Sequence, residues 1–223
     1  MALPRAILTD IEGTTTSIAF VHEELFPFAR ARMAGFVRER EQDPVVAPLL
    51  DEVRGGQDLS LDQVILRLLG WIDADRKETA LKALQGLIWV AGYQDGSLKG
   101  HMYPDATAGL RRWHAQGLGL YVYSSGSIKA QKLLYGHSVH GDLTPLFTGF
   151  YDTTSGHKRE TASYAAIAQA MGMPAGDILF LSDVVEELHA ARDAGMRTCW
   201  LQRDFTADGQ GHPVARTFDE IEL

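Results

Sequence analysis

Six polar residues have the types and positions to carry phosphoryl transfer: Asp10, Glu12, Ser124, Ser125, Lys158 and Asp183. Asp10 closes the short apolar run Ala6-Ile7-Leu8-Thr9, and Glu12 and Gly13 follow it. Ser124 and Ser125 follow a second apolar run, Leu118 to Tyr123, and Asp183 follows a third that begins at Ile178. Lys158 stands in the polar loop Gly156-His157-Lys158-Arg159, ahead of an expected helix. An aspartate can attack phosphorus and form an aspartyl-phosphate, which splits one hard step into two. A second acid two residues on can act as general acid and then as base. A serine hydroxyl and the amides of a glycine-containing loop can hold phosphate oxygens. A lysine can offset the clustered carboxylates and the transferring group. An acid from another strand completes a Mg²⁺ site built of oxygen ligands. Taken singly, each has an ordinary explanation as a turn residue, a helix cap or a solvated charge. Their joint placement at the ends of expected strands is what points to chemistry.

Such residues need a scaffold that gathers strand ends. Residues 6–9 read as a buried parallel strand, because a short continuous apolar run closes on an acid and a glycine. From about Thr16 to about Gly100 the pattern is helical throughout. Val21, Leu25, Phe28, Met33 and Phe36 recur near helical spacing, and Ser60-Leu61-Asp62-Gln63 matches a capping box ahead of Val64 and Ile65. Lys77 to about Val90 gives a further amphipathic helix, and Gly92 to Gly100 reads as a linker. From Pro104 onward helix and strand alternate. Helices are expected at 104–116, 128–135, 161–171 and 185–194, and strands at 118–123, near 150–151, at 178–181 and at 197–201. Alternation of this kind implies right-handed βαβ units and a parallel sheet with helices on both faces. The expected architecture is α/β: a doubly wound, Rossmann-like parallel sheet with an all-helical cap inserted after the first strand. The core takes residues 1–15 and 101–223, the cap 16–100. Open sheets of this class bind ligands at the carboxyl ends of their strands, where the six residues fall.

Composition narrows the class. The 223 residues are 45% hydrophobic and 22% charged, which excludes a mostly disordered chain. A formal net charge of −8 disfavours a general nucleic-acid binder but not a phosphorylated small molecule, since a bound cation reverses the field locally. The single cysteine, Cys199, allows no internal disulfide and no cysteine-based zinc site, and reads as buried core. No apolar run approaches the roughly 20 residues of a spanning helix, and residues 1–10 do not form a secretory signal. A cytoplasmic monomer with no membrane or nucleic-acid partner is expected. Gly117-Leu118-Gly119 precedes a strand, so it is no dinucleotide fingerprint. His137 and His140 read as surface residues, and Trp71, Trp89 and Tyr93 as cap core, with Trp89 and Tyr93 near enough to the cap's end to line a pocket.

These motifs resemble the haloacid dehalogenase superfamily of aspartate-nucleophile phosphatases. Asp10-Ile11-Glu12-Gly13-Thr14 resembles the first motif, Ser124 the second, Lys158 the third, and Ser182-Asp183 followed by Glu187 the fourth. The usual second acid of the first motif is Asp, and Glu12 departs from it. With Phe20-Val21-His22, Leu25-Phe26-Pro27, Tyr123-Ser124-Ser125-Gly126-Ser127, Gln131-Lys132-Leu133-Leu134 and Gly156-His157-Lys158, the departure is similar to the enolase-phosphatase (acireductone synthase) family over essentially the whole chain. The resemblance implies a Mg²⁺-dependent hydrolase of methionine salvage acting on 2,3-diketo-5-methylthiopentyl-1-phosphate. It would enolise the diketone and then remove phosphate. It also implies that Asp10, the Glu12 main-chain carbonyl and Asp183 hold Mg²⁺, while Ser124, Ser125 and Lys158 hold substrate. The cap is expected to close over the site, with Phe20, Phe26 and Trp89 toward the methylthio end. The enolisation base is left open among His22, Glu23 and His101. A single-step phosphatase and a non-catalytic phosphometabolite-binding protein are the competing readings.

Overall fold

The computed structural model describes residues 3–203 and 208–223. It divides into two compact units. One takes in the chain up to Ile18 and from Gly100 onward; the other is Ala19–Lys99.

Among the described residues the first unit is built on six strands: β1 (Ala6–Thr9), β2 (Gly119–Tyr123), β3 (Gly149–Tyr151), β4 (Ile178–Ser182), β5 (Arg197–Leu201) and β6 (Val214–Ala215). Their order is β3-β2-β1-β4-β5-β6, and every pairing is parallel. β1 and β4 are buried at every position, as sequences read without alternation require of a sheet covered on both faces. Ala6, Leu8, Tyr121, Tyr123, Ile178 and Phe180 form one cluster with Tyr164, Ile167, Leu188 and Ala191. The last four belong to helices named below. The short β6, paired with β5 through Val214 and Ala215, was not foreseen; two residues carry no periodicity to read.

Among the described residues nine α-helical segments run in chain order: α1 (Ile18–Phe20), α2 (Phe26–Glu39), α3 (Val46–Arg54), α4 (Leu61–Asp73), α5 (Thr79–Gln94), α6 (Pro104–Ala115), α7 (Ile128–Gly136), α8 (Thr161–Met171) and α9 (Val185–Asp193). Tyr164 and Ile167 come from α8, Leu188 and Ala191 from α9. Trp113 of α6 lies 5.3 Å, ring to ring, from Phe218. Among the described residues no helix is long and apolar enough to cross a membrane.

In the second unit α2 to α5 pack on one another. Ala29, Met33 and Val37, one helical turn apart, meet Val46, Leu50, Val64, Ile65, Leu68, Leu81, Leu84 and Ile88 in one core. The capping box is formed: Ser60 Oγ accepts the Gln63 N–H, and Gln63 Oε1 accepts the Ser60 N–H. Two features depart from the sequence reading. α5 continues to Gln94, so Gly92 and Tyr93 are helical and not part of a linker. Gly92 is admitted there because the Phe28 ring occupies the space a Cβ would need. Residues Val21–Leu25 form a π-turn between α1 and α2, and the Trp89 indole N–H donates to the Leu25 carbonyl at 2.9 Å.

Candidate active site

The chain leaves β1 for β2 and β3 on one side, then crosses to β4, β5 and β6 on the other, so β1 stands at the switch point of the sheet. Thr9 is in register with Val122 and Leu181, which places Asp10, Tyr123 and Ser182 side by side at the strands' carboxyl ends. The Asp10 amide donates to the Leu181 carbonyl at 2.9 Å. Beyond it the loop curls on itself: the Ile11 carbonyl accepts the N–H groups of Thr14, Thr15 and Thr16 at 3.2, 2.9 and 2.9 Å. Gly13 at φ +70° makes this turn, and a Cβ there would overlap Asp183 Oδ2, so the Asp183 carboxyl rests directly on the glycine.

Lys158 is the central cation. Its Nζ lies 2.5 Å from Asp10 Oδ1 and 2.7 Å from Glu187 Oε2, with all three side chains at most 10% exposed. Tyr164 Oη donates to the Lys158 carbonyl at 2.7 Å, and Tyr123 Oη to the Gly156 carbonyl at 2.9 Å. Ser163 Oγ donates to the His157 carbonyl at 2.8 Å. Three carbonyls of one short loop are thus tied to side chains of β2 and α8, so the loop presents the lysine from fixed backbone. Ser182 Oγ donates to Glu187 Oε2 at 2.9 Å and accepts the Val184 N–H. Glu187 was quoted in the fourth motif but given no part in the site. In sequence it is an ordinary acid in the first turn of α9, with no local sign of this role.

Three carboxyls face one ammonium here. Burial pushes the Asp183 carboxyl up to about 7, with the charges of Asp10 and Glu187 adding to it. Glu187 is likewise raised by burial and by Asp10, and Lys158 partly offsets this. Burial lowers the Lys158 ammonium, but Asp10 and Glu187 more than compensate and hold it charged. The cluster carries excess negative charge on hard oxygen donors, which suits a small divalent cation. Among the described residues no three His, Cys, Asp or Glu side chains converge as a ligand set. One or two carboxylates, with remaining positions left to water and phosphate, is the arrangement Mg²⁺ prefers.

The other expected residues distribute as follows. Ser124 is buried one residue past β2, and its Oγ accepts the Gly126 N–H at 3.2 Å. The helix-capping task falls instead to Ser127, whose Oγ accepts the Ala130 N–H. Ser125 and Glu12 are exposed on their loops, neither in the buried Lys158 cluster. Asp152, a strand-end acid after β3 that is not among the expected residues, accepts from Thr154 and from the Ile128 N–H at the start of α7. His101 Nδ1 accepts the Ser17 N–H at 3.1 Å and bonds Thr16 Oγ1 at 2.9 Å, so the lone pair a base would use is engaged. His137 and His140, expected at the surface, are half-buried beside the carbonyls of Leu133 and Met102. Cys199 is buried, which pushes its thiol up to about 12.

Comparison with known proteins identifies the family. The profile of the haloacid dehalogenase-like hydrolases matches residues 4–195. "Enolase-phosphatase E1" of Pseudomonas aeruginosa (strain UCBPP-PA14) is 58% identical over 220 residues, covering 97% of each chain. The protein of that name from Pseudomonas syringae pv. syringae is also 58% identical, over 98% of this chain and 97% of its own. The crystal structure of UTR4 from Saccharomyces cerevisiae superposes with a TM-score of 0.86 at 34% identity, covering 98% of this chain and 100% of that one. The chain belongs to the haloacid dehalogenase-like hydrolases and, within them, to the enolase-phosphatase family.

Proposed function

We propose that this hydrolase converts 2,3-diketo-5-methylthiopentyl-1-phosphate to the acireductone of methionine salvage, enolising the diketone and then removing phosphate. The observation that carries the reading is Asp10 held at one oxygen by buried Lys158, beside Asp183, at the switch point of the sheet. Lys158 occupies Asp10 Oδ1, which leaves Oδ2 to attack phosphorus. The P–O bond to the substrate breaks as the bond to Asp10 forms, and Glu12 protonates the departing oxygen. Glu12 then takes a proton from water, which attacks the aspartyl-phosphate, releases phosphate and restores Asp10. Lys158 and the hydroxyls of Ser124 and Ser125 hold the phosphate oxygens through both transfers. Asp10, Asp183 and the Glu12 main-chain carbonyl would hold Mg²⁺, which when bound supplies charge neutralisation at the phosphate and polarises the diketone oxygens. The proposal includes a cytoplasmic, monomeric enzyme.

The test mixes protein, Mg²⁺ and the diketone phosphate without oxygen and follows enol absorbance and free phosphate together. Enol rising before or with phosphate supports the two-step enzyme. Phosphate without any enol or acireductone reduces it to a plain phosphatase, and neither signal makes it a binding protein.

Metal binding has its own readout. The Asp183 carboxyl is raised from 3.8 to about 7 in the fold, so its protonated form stabilises the native state. That contribution is complete below its ordinary value and is lost as pH rises through about 7. Mg²⁺ requires the ionised form, so its stabilisation runs the other way. We expect Mg²⁺ to raise Tm by several degrees at about pH 8 and by little at about pH 5. An equal rise at both, or none at the higher pH, removes Asp183 from the metal site.

A further inference from the structure

The turn that carries Asp10 uses the Ile11 carbonyl for three of its own amides. The carbonyls of Thr14 and Thr15 are met from outside the turn. Thr15 O accepts the Tyr103 N–H at 3.0 Å, and Thr14 O accepts Arg203 Nε–H at 2.8 Å. Arg203 follows β5, nearly the length of the chain away, yet its side chain is only 8% exposed. Its guanidinium stacks 3.8 Å from the centroid of the Tyr103 ring. Nη1 donates to Asp105 Oδ1 at 3.2 Å, and Nη2 stands 3.1 Å from Asp105 Oδ2 as an ion pair without hydrogen-bond alignment. Asp105 Oδ2 accepts the Phe218 N–H at 2.8 Å. One planar group thus joins the turn, the start of α6 and the segment after β6.

A buried ion pair is poor evidence for stability, since desolvating both partners offsets most of their attraction. What this one supplies is geometry. A guanidinium can direct Nε at a carbonyl while both terminal nitrogens face a carboxylate. An ammonium at the same place could neutralise Asp105 but could not satisfy both acceptors in one plane.

We propose that Arg203 is a positioning residue for the nucleophile: by fixing the Thr14 carbonyl it sets the turn that seats Gly13 under Asp183 and holds Asp10 against Lys158. The inference rests on the reading of Asp10 as nucleophile. Arg203 touches none of the groups in the Lys158 cluster, so its effect is on where they stand.

The test compares wild type, Arg203→Met, Arg203→Lys and Asp105→Asn in Mg²⁺-dependent hydrolysis of 4-nitrophenyl phosphate, with Tm measured on each. Displacement of reacting groups by about 1 Å costs on the order of 10²-fold in rate, which is the loss in kcat expected for Arg203→Met. Arg203→Lys should recover part of it, to about a 10-fold loss, with KM within about 3-fold of wild type in both. Should Arg203→Met fail to fold, Arg203→Lys and Asp105→Asn carry the same comparison, scored per folded molecule. A folded variant at Arg203 with wild-type kcat overturns the inference, as does a loss confined to KM or one that follows only the unfolded fraction. An inactive wild type would instead bring down the nucleophile reading itself.

Discussion

Asp10→Asn should abolish phosphate release and enol formation while leaving a folded protein. The substitution keeps shape and removes the carboxylate oxygen proposed to attack phosphorus. Loss of a covalent nucleophile in a site of this kind costs at least about 10⁴-fold in kcat. The fold should survive because of the charges around the position. Lys158 keeps Glu187 at 2.7 Å, so it is not left buried and unpaired. Asp183 and Glu187 each lose a repelling neighbour, since the Asp10 charge contributes to the raised position of both. Circular dichroism and Tm close to wild type, with no phosphate by single-turnover assay, are the expected pair of results. Phosphate release from folded Asp10→Asn at even a tenth of the wild-type rate would place the nucleophile elsewhere.

Gly13→Ala should be nearly as damaging to activity, through sterics alone. Its added methyl would coincide with Asp183 Oδ2, and its backbone at φ +70° is one that alanine adopts at a cost of roughly 1–2 kcal/mol. Relief requires the Asp183 carboxyl to leave its seat or the turn to open. Either moves the proposed metal ligand Asp183 relative to the proposed nucleophile Asp10, and a kcat loss of about 10²-fold or more is expected. Gly13→Asn separates the two causes. Asparagine tolerates the left-handed backbone but still carries a Cβ. If contact with Asp183 dominates, Gly13→Asn should regain stability without regaining activity; full activity in either variant would refute the contact.

The sheet and the helices were readable from sequence because their residues report local burial. Continuous apolar runs gave β1 and β4, and 3.6-residue periodicity gave the helices. Asp10, Ser124 and Asp183 were legible as strand-end residues. What sequence hid was whatever depended on distant partners. Lys158 sits in a polar Gly-His-Lys-Arg loop, and nothing local says that it is buried between two carboxylates. Glu187 is an ordinary acid in the first turn of a helix until Ser182 and Lys158 are placed beside it. Arg203 gains its meaning from Thr14 and Asp105, 189 and 98 residues away. The helical Gly92 misled for the opposite reason: glycine is read as a breaker, and only the Phe28 ring explains its presence.

The pairing of β1 sets the order in which this protein can be completed on the ribosome. Ala6 stands in register with Gly119 and Ile178, the first residues of β2 and β4, so the sheet has no centre until both have been translated. At roughly 5–20 residues per second, the apolar segment Ala6–Thr9 waits many seconds for its first neighbour. The core of α2 to α5 draws on one contiguous stretch and needs no such delay. Closing loops of this size is slow because chain entropy opposes it before any contact repays it. Nascent chains should therefore acquire protease-resistant helices early, while the segment that ends at Asp10 stays a substrate for chaperones until synthesis has passed β4.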